Sequence, residues 1–139
     1  MIVKTRLAGD EKLDVVQVPC ASATSFEVGQ LISYESGNAV KLNAATEDIT
    51  FLGVSTMTKV SGETYPDIVV ATKGIFEAQV KSSTYSIGDA LAYNATNDEL
   101  EASTANTIAW AWENKTAAVT SLKVKIDVVA LAKLFANNA

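Results

Sequence analysis

The side chains able to do chemistry are few, and their types narrow the options at once. The chain has 139 residues with no histidine and a single cysteine, Cys20. Without histidine there is no ordinary general base near neutral pH and no hydrolase triad, and the commonest metal ligand is missing. One thiol cannot complete a Cys/His zinc site or an intrachain disulfide, so Cys20 is expected to be a small buried hydrophobe. Acid/base chemistry would have to come from carboxylates, which occur as neighbours at Asp10-Glu11, Glu47-Asp48 and Asp98-Glu99. Adjacent residues of a strand face opposite ways, so these pairs read as solvated loop charge rather than a catalytic dyad. The oxygen-rich run Asn94 to Glu99 lacks the spacing of a calcium loop, and the seven glycines are too dispersed for a phosphate cradle. No catalytic residue, metal or cofactor is expected.

Two side chains suit recognition. Trp110 and Trp112 stand two apart and share a face of any strand containing them. They either fill a core or form a platform for a sugar or a protein partner, tryptophan being enriched at interface hot spots.

Positioning falls to a fold whose grammar is β. Leu122, Val124, Ile126 and Val128 alternate with Lys123, Lys125 and Asp127, and Ile49 to Val54 and Ile108 to Trp112 are similarly extended. Asp67 to Val80 reads as two strands broken near Lys73-Gly74, preceded by a loop over Ser61 to Pro66. Val129 to Ala136 reads as either a short helix or a terminal strand with a tail.

The chain also repeats itself. Phe26 to Tyr34 (FEVGQLISY) matches Tyr85 to Tyr93 (YSIGDALAY) at a separation of 59 residues, each with a glycine suited to positive φ. Held without gaps, that spacing sets Asn38 on Asn97, Ile49 on Ile108, Phe51 on Trp110 and Val69-Val70-Ala71 on Val128-Val129-Ala130. The expectation is a mostly β, barrel- or tulip-like body of short antiparallel strands. It occupies 26–139, with related halves at about 26–72 and 85–131, and residues 1–25 form an extended arm or an edge strand. Val15, Val16, Val18 and Pro19 in that segment, and Leu134 and Phe135 near the other end, are candidate inter-subunit contacts.

Composition excludes several classes of function. Hydrophobic residues make up 48% and charged residues 19%, which favours a folded core over disorder. No apolar run reaches the roughly 20 residues of a membrane helix, and the chain reads as soluble and intracellular when made. Sixteen acidic against eleven scattered basic residues give a formal charge of −5, which disfavours direct nucleic-acid binding.

Gly29-Gln30-Leu31-Ile32 followed by Val40, then Phe51-Leu52-Gly53-Val54, Ile68 to Gly74 and Gly88 to Tyr93, resembles the small capsid decoration, or cement, proteins of tailed bacteriophages. The pattern departs from that family where Trp110-Ala111-Trp112 replaces an expected second aliphatic-Gly-β-branched element. The resemblance implies a β-barrel that trimerises on the outer surface of an assembled head. There it would bridge major capsid protein subunits, with no direct contact to nucleic acid or membrane. A virion-surface β-domain that binds carbohydrate or a fibre protein is the alternative, and an enzyme using carboxylates alone is a third class.

Overall fold

The computed structural model describes residues 14–128. Nine strands run β1 (Asp14–Pro19), β2 (Leu31–Glu35), β3 (Asn38–Lys41), β4 (Phe51–Ser55), β5 (Asp67–Tyr85), β6 (Ala90–Asn94), β7 (Glu99–Ala102), β8 (Thr107–Ala111) and β9 (Lys115–Asp127). One short 3-10 helix, Ala45–Thr50, precedes β4. The segment Val129 to Ala136, read as a short helix or a terminal strand, lies with Leu134 and Phe135 outside the described residues.

The body is mostly β, as the alternation implied, but it is mixed rather than antiparallel throughout. β5, β7, β6, β8 and β9 close into a five-stranded barrel through the parallel pairing of Val80 with Leu100 and the antiparallel pairing of β9 with β5. β1, β3, β2, β4 and the start of β5 form the corresponding first lobe, in which β1 lies beside β3 without a ladder between them. Asp67 to Val80 is not broken near Lys73-Gly74. It belongs to one 19-residue strand that exchanges partners at Lys73, pairing with β1 before that point and with β9 after it. One strand thus serves both lobes.

The same hydrogen bonds hold the turns at Gly29 and Gly88. In the first lobe Gly29 N donates to Ser55 O at 2.8 Å and Ser55 N to Gln30 O at 2.8 Å; in the second Gly88 N donates to Ala111 O and Ala111 N to Asp89 O, both at 2.9 Å. Both glycines sit in the left-handed region, at φ 90 and 93, as the third residue of a turn closed by Gln30 N to Glu27 O and by Asp89 N to Ser86 O. The side chains of Gln30 and Asp89 also accept from the amides of Glu27 and Ser86.

The ungapped spacing holds only this far. The β2–β3 turn has two residues, Ser36-Gly37, both at positive φ, whereas β6 and β7 are joined by four. The separation is therefore 61 at β3 and β7. A shorter β7–β8 connection returns it to 56 at β4 and β8, where Val54 pairs with Leu31 as Trp110 pairs with Ala90. A tighter final hairpin leaves 54 at β5 and β9, where Ala71 pairs with Val54 as Lys125 pairs with Trp110. Phe51 accordingly matches Thr107, not Trp110, and Leu52 rather than Ile49 matches Ile108. Ile49 lies on the 3-10 helix and is exposed. β1 matches the middle of β5: Val16 opposes Val70 and Val18 opposes Ile68, as Phe76 opposes Val124 and Ala78 opposes Leu122.

Packing confirms this alignment. The first lobe's interior includes Val18, Cys20, Phe26, Ile32, Tyr34 and Leu52. Their counterparts Ala78, Val80, Tyr85, Leu91, Tyr93 and Ile108 are all buried in the second. A bulge in each lobe, between Ile32 and Ser33 and between Leu91 and Ala92, lets Leu52 and Ile108 turn inward.

Candidate functional site

β8 and β9 display the tryptophans. Along Trp110-Ala111-Trp112 burial alternates: Ala111 is fully buried while Trp110 and Trp112 are 37% and 38% exposed. The two rings face outward rather than filling the barrel. Lys125 is the register partner of Trp110, and its Nζ stands 4.7 Å from the centre of the Trp112 ring, a cation–π contact. Glu113 holds the hairpin beneath them, accepting from Lys123 N at 2.9 Å and lying 3.7 Å from Lys115 Nζ. The arrangement is an exposed aromatic and basic surface at the β8–β9 hairpin.

The candidate contacts near the other end of the body separate by alternation. Val15 is 53% exposed and Pro19 is exposed, whereas Val16 packs on the first lobe's core and Val18 is fully buried. Residues 14–19 are therefore a strand of the first lobe, paired with β5 from Asp67 to Lys73.

Lys59, which no motif singled out, is the one buried cation among the described residues. It is 1% exposed, and its Nζ donates to the carbonyls of Ala21, Ser22 and Thr24 at 3.2, 2.9 and 2.6 Å. Its backbone pairs with Phe26 as Lys115 pairs with Tyr85. The two lysines are thus repeat equivalents, hidden from an ungapped alignment by the three-residue change in spacing. Lys115 has no such cage, because residues 81–84 are extended strand where the first lobe has a loop. Lys115 instead borders an open cleft of about 490 Å³ with Tyr85, Asp89 and Asn114.

Several other polar groups have structural work. Glu47 accepts from the amides of Asn43 and Ala44 at the start of the 3-10 helix. In the loop weighed for calcium, Asn94 Oδ1 accepts from Thr96 N and Asn97 N, and Asp98 accepts from the Tyr93 hydroxyl at 2.7 Å. Burial, together with that carboxylate, pushes the Tyr93 phenol up, so it stays a neutral donor. Asp10-Glu11 lies outside the described residues. Among the described residues no three His, Cys, Asp or Glu side chains converge on a metal-sized site, and no helix is long and apolar enough to cross a membrane.

Cys20 is buried and its Sγ lies 3.5 Å from Tyr65 O. Burial pushes its thiol up; Lys59 opposes that shift and Asp67 adds to it. The thiolate is scarce and shielded, so at pH 8 Cys20 should react with iodoacetamide at least about 100-fold more slowly in the native protein than in urea. Equal rates would mean that the loops around it open freely.

Comparison with protein-family models and with curated proteins returns no match.

Proposed function

We propose that the chain is a capsid decoration protein, one that binds the outer surface of an assembled viral head as a homotrimer and bridges major capsid protein subunits. The reading rests on the resemblance of Gly29 to Ile32, Phe51 to Val54, Ile68 to Gly74 and Gly88 to Tyr93 to that family. One structural observation supports it: the turn and strand of Gly29 to Ile32 recur at Gly88 to Tyr93, each bonded in the same way to the strand that follows it in its lobe. Such a protein acts by binding. Contacts available only on the assembled head stabilise that state by mass action, and several weak contacts per oligomer multiply. The work is mechanical, so no catalytic group enters the proposal. The protein would be made in the host cytoplasm and reside on the virion, without direct nucleic-acid or membrane contact.

The deciding measurement is the copy number relative to major capsid protein in purified particles of the source virus, by quantitative mass spectrometry. A stoichiometry on the order of one to one is expected for a shell component occupying regular lattice positions. Absence, or a few copies per particle, overturns the reading.

A second reading is favoured by the outward Trp110 and Trp112: a virion-surface domain that binds carbohydrate or a fibre protein. In that case replacing both by alanine abolishes glycan or fibre retention and leaves head attachment intact.

A further inference from the structure

The duplication lets one lobe serve as a control for the other. The outer face of β2, β4 and β5 in the first lobe carries Leu31, Phe51, Val54 and Ala71, with Leu42 beside them. All five are buried and belong to the same contiguous cluster as the second lobe's interior, so the chain's own second lobe covers this face. The equivalent face of the second lobe carries Ala90, Thr107, Trp110 and Lys125, with Ser103 in the place of Leu42. No third lobe follows among the described residues; Trp110 is exposed and Ala90, Ser103, Thr107 and Lys125 are half-buried, while Ala92, the register partner of Thr107, is the buried residue of this face. The substitutions also differ in kind. Four of the five positions become smaller or more polar, as a face that must meet water requires, while Val54 gives way to the much larger Trp110 and Trp112 stands beside it where the first lobe has Thr56. A surface adapted only to solvent would not gain two indoles, since large aromatic side chains on a polar surround are the usual anchors of an association that forms and dissolves.

We propose that this Trp110 face receives a second copy of the chain, seated on it as the second lobe of one chain seats on the equivalent face of the first. The occupant follows from continuity with the interface inside the chain, because the one surface known to cover this face of the repeat is another lobe of the same fold. The contact is head to tail: the face used on one copy differs from the face used on the next, so copies join into a ring if the rotation closes. The inference names the surface for the self-association in the functional reading above. It rests on that part of the reading and is independent of attachment to a capsid.

The test uses the protein as it stands, without a virus. The chain's two tryptophans both lie on this face, so intrinsic fluorescence reports on it directly. From about 1 μM to about 1 mM, sedimentation equilibrium should show mass rising above the monomer, with tryptophan emission moving to the blue over the same range. Ala90→Arg, which keeps both indoles and places a charge on the face, should weaken association at least about 10-fold and remove the emission shift. Trp110→Ser with Trp112→Ser should weaken it by a similar factor, and both variants should keep the wild-type circular dichroism. A monomer at every concentration overturns the proposal, and so does association that neither variant weakens. Association that needs this face, in a protein absent from viral particles, would sustain the inference while the capsid reading fails.

Discussion

Gly53→Ala should lower the melting temperature by roughly 10–20 °C although it adds a single methyl group. Gly53 has φ 138, and a Cβ built on it would lie 2.0 Å from Ala71 O and 2.9 Å from Ala71 C. Both atoms are backbone of the paired strand β5, so no side chain can swing away. Backbone strain of about 1–3 kcal/mol and overpacking of about 1–3 kcal/mol together make about 2–6 kcal/mol, centred on about 4 kcal/mol. In a domain of this size each kcal/mol moves the melting temperature by roughly 4 °C. Gly88→Ala is the control. It has φ 93, but nothing lies within 4 Å of its Cβ, so it carries the conformational cost alone. Thermal denaturation of the two variants separates the contributions. Equal losses would mean that β4 and β5 move apart at little cost, and that the bulge next to Gly53 is not a fixed element of the first lobe. The second lobe has Ala109 at this position, so the tight approach belongs to one repeat only.

Lys59→Met should cost about 2–4 kcal/mol, a drop of roughly 8–15 °C, although it swaps one long unbranched side chain for another. The loss is polar. Three carbonyls that now accept from one ammonium would face a thioether that donates nothing, and leaving buried acceptors unpaired costs more than an average hydrogen bond contributes. Lys115→Met, at the repeat-equivalent position, should change stability by less than about 0.5 kcal/mol, because that side chain is 38% exposed and its partner Glu113 is within reach of water. Cys20 gives a second, local readout. The loop that leaves β1 at Cys20 is the one Lys59 fastens, so its thiol should label faster in Lys59→Met under native conditions. A variant that melts like wild type and still protects Cys20 would show that the carbonyls find water instead.

These two positions show where a sequence reading stops. The turn at Gly29 and Gly88 was legible because its requirements are local. An aromatic, a β-branched residue and a glycine at fixed spacing specify a left-handed residue before an extended run, and the observed φ values agree. The wet and dry faces of β9 were legible for the same reason, since alternation is a property of neighbours: Leu122, Val124 and Ile126 are buried as their pattern implied. The register between halves was not legible beyond β2. Two residues gained in one hairpin, five lost before β8 and two more lost before β9 leave every individual segment plausible, and they become visible only through hydrogen-bond partners. Lys59 was missed because its ligands are backbone carbonyls, which have no sequence signature.

The sequence by itself determined that the chain is mostly β, that Phe26 to Tyr34 recurs in kind at Tyr85 to Tyr93, and that it holds no histidine and a single thiol, because composition and period are properties of the string. Tertiary structure alone decided which repeat closes into a barrel, that β5 serves both lobes, and that Phe51 is buried between them while Trp110 and Trp112 face outward. Each of those outcomes depends on what lies across from a residue rather than beside it. The same outer face is buried in one lobe and half-buried to exposed in the other, and no local pattern distinguishes the two before the chain is folded.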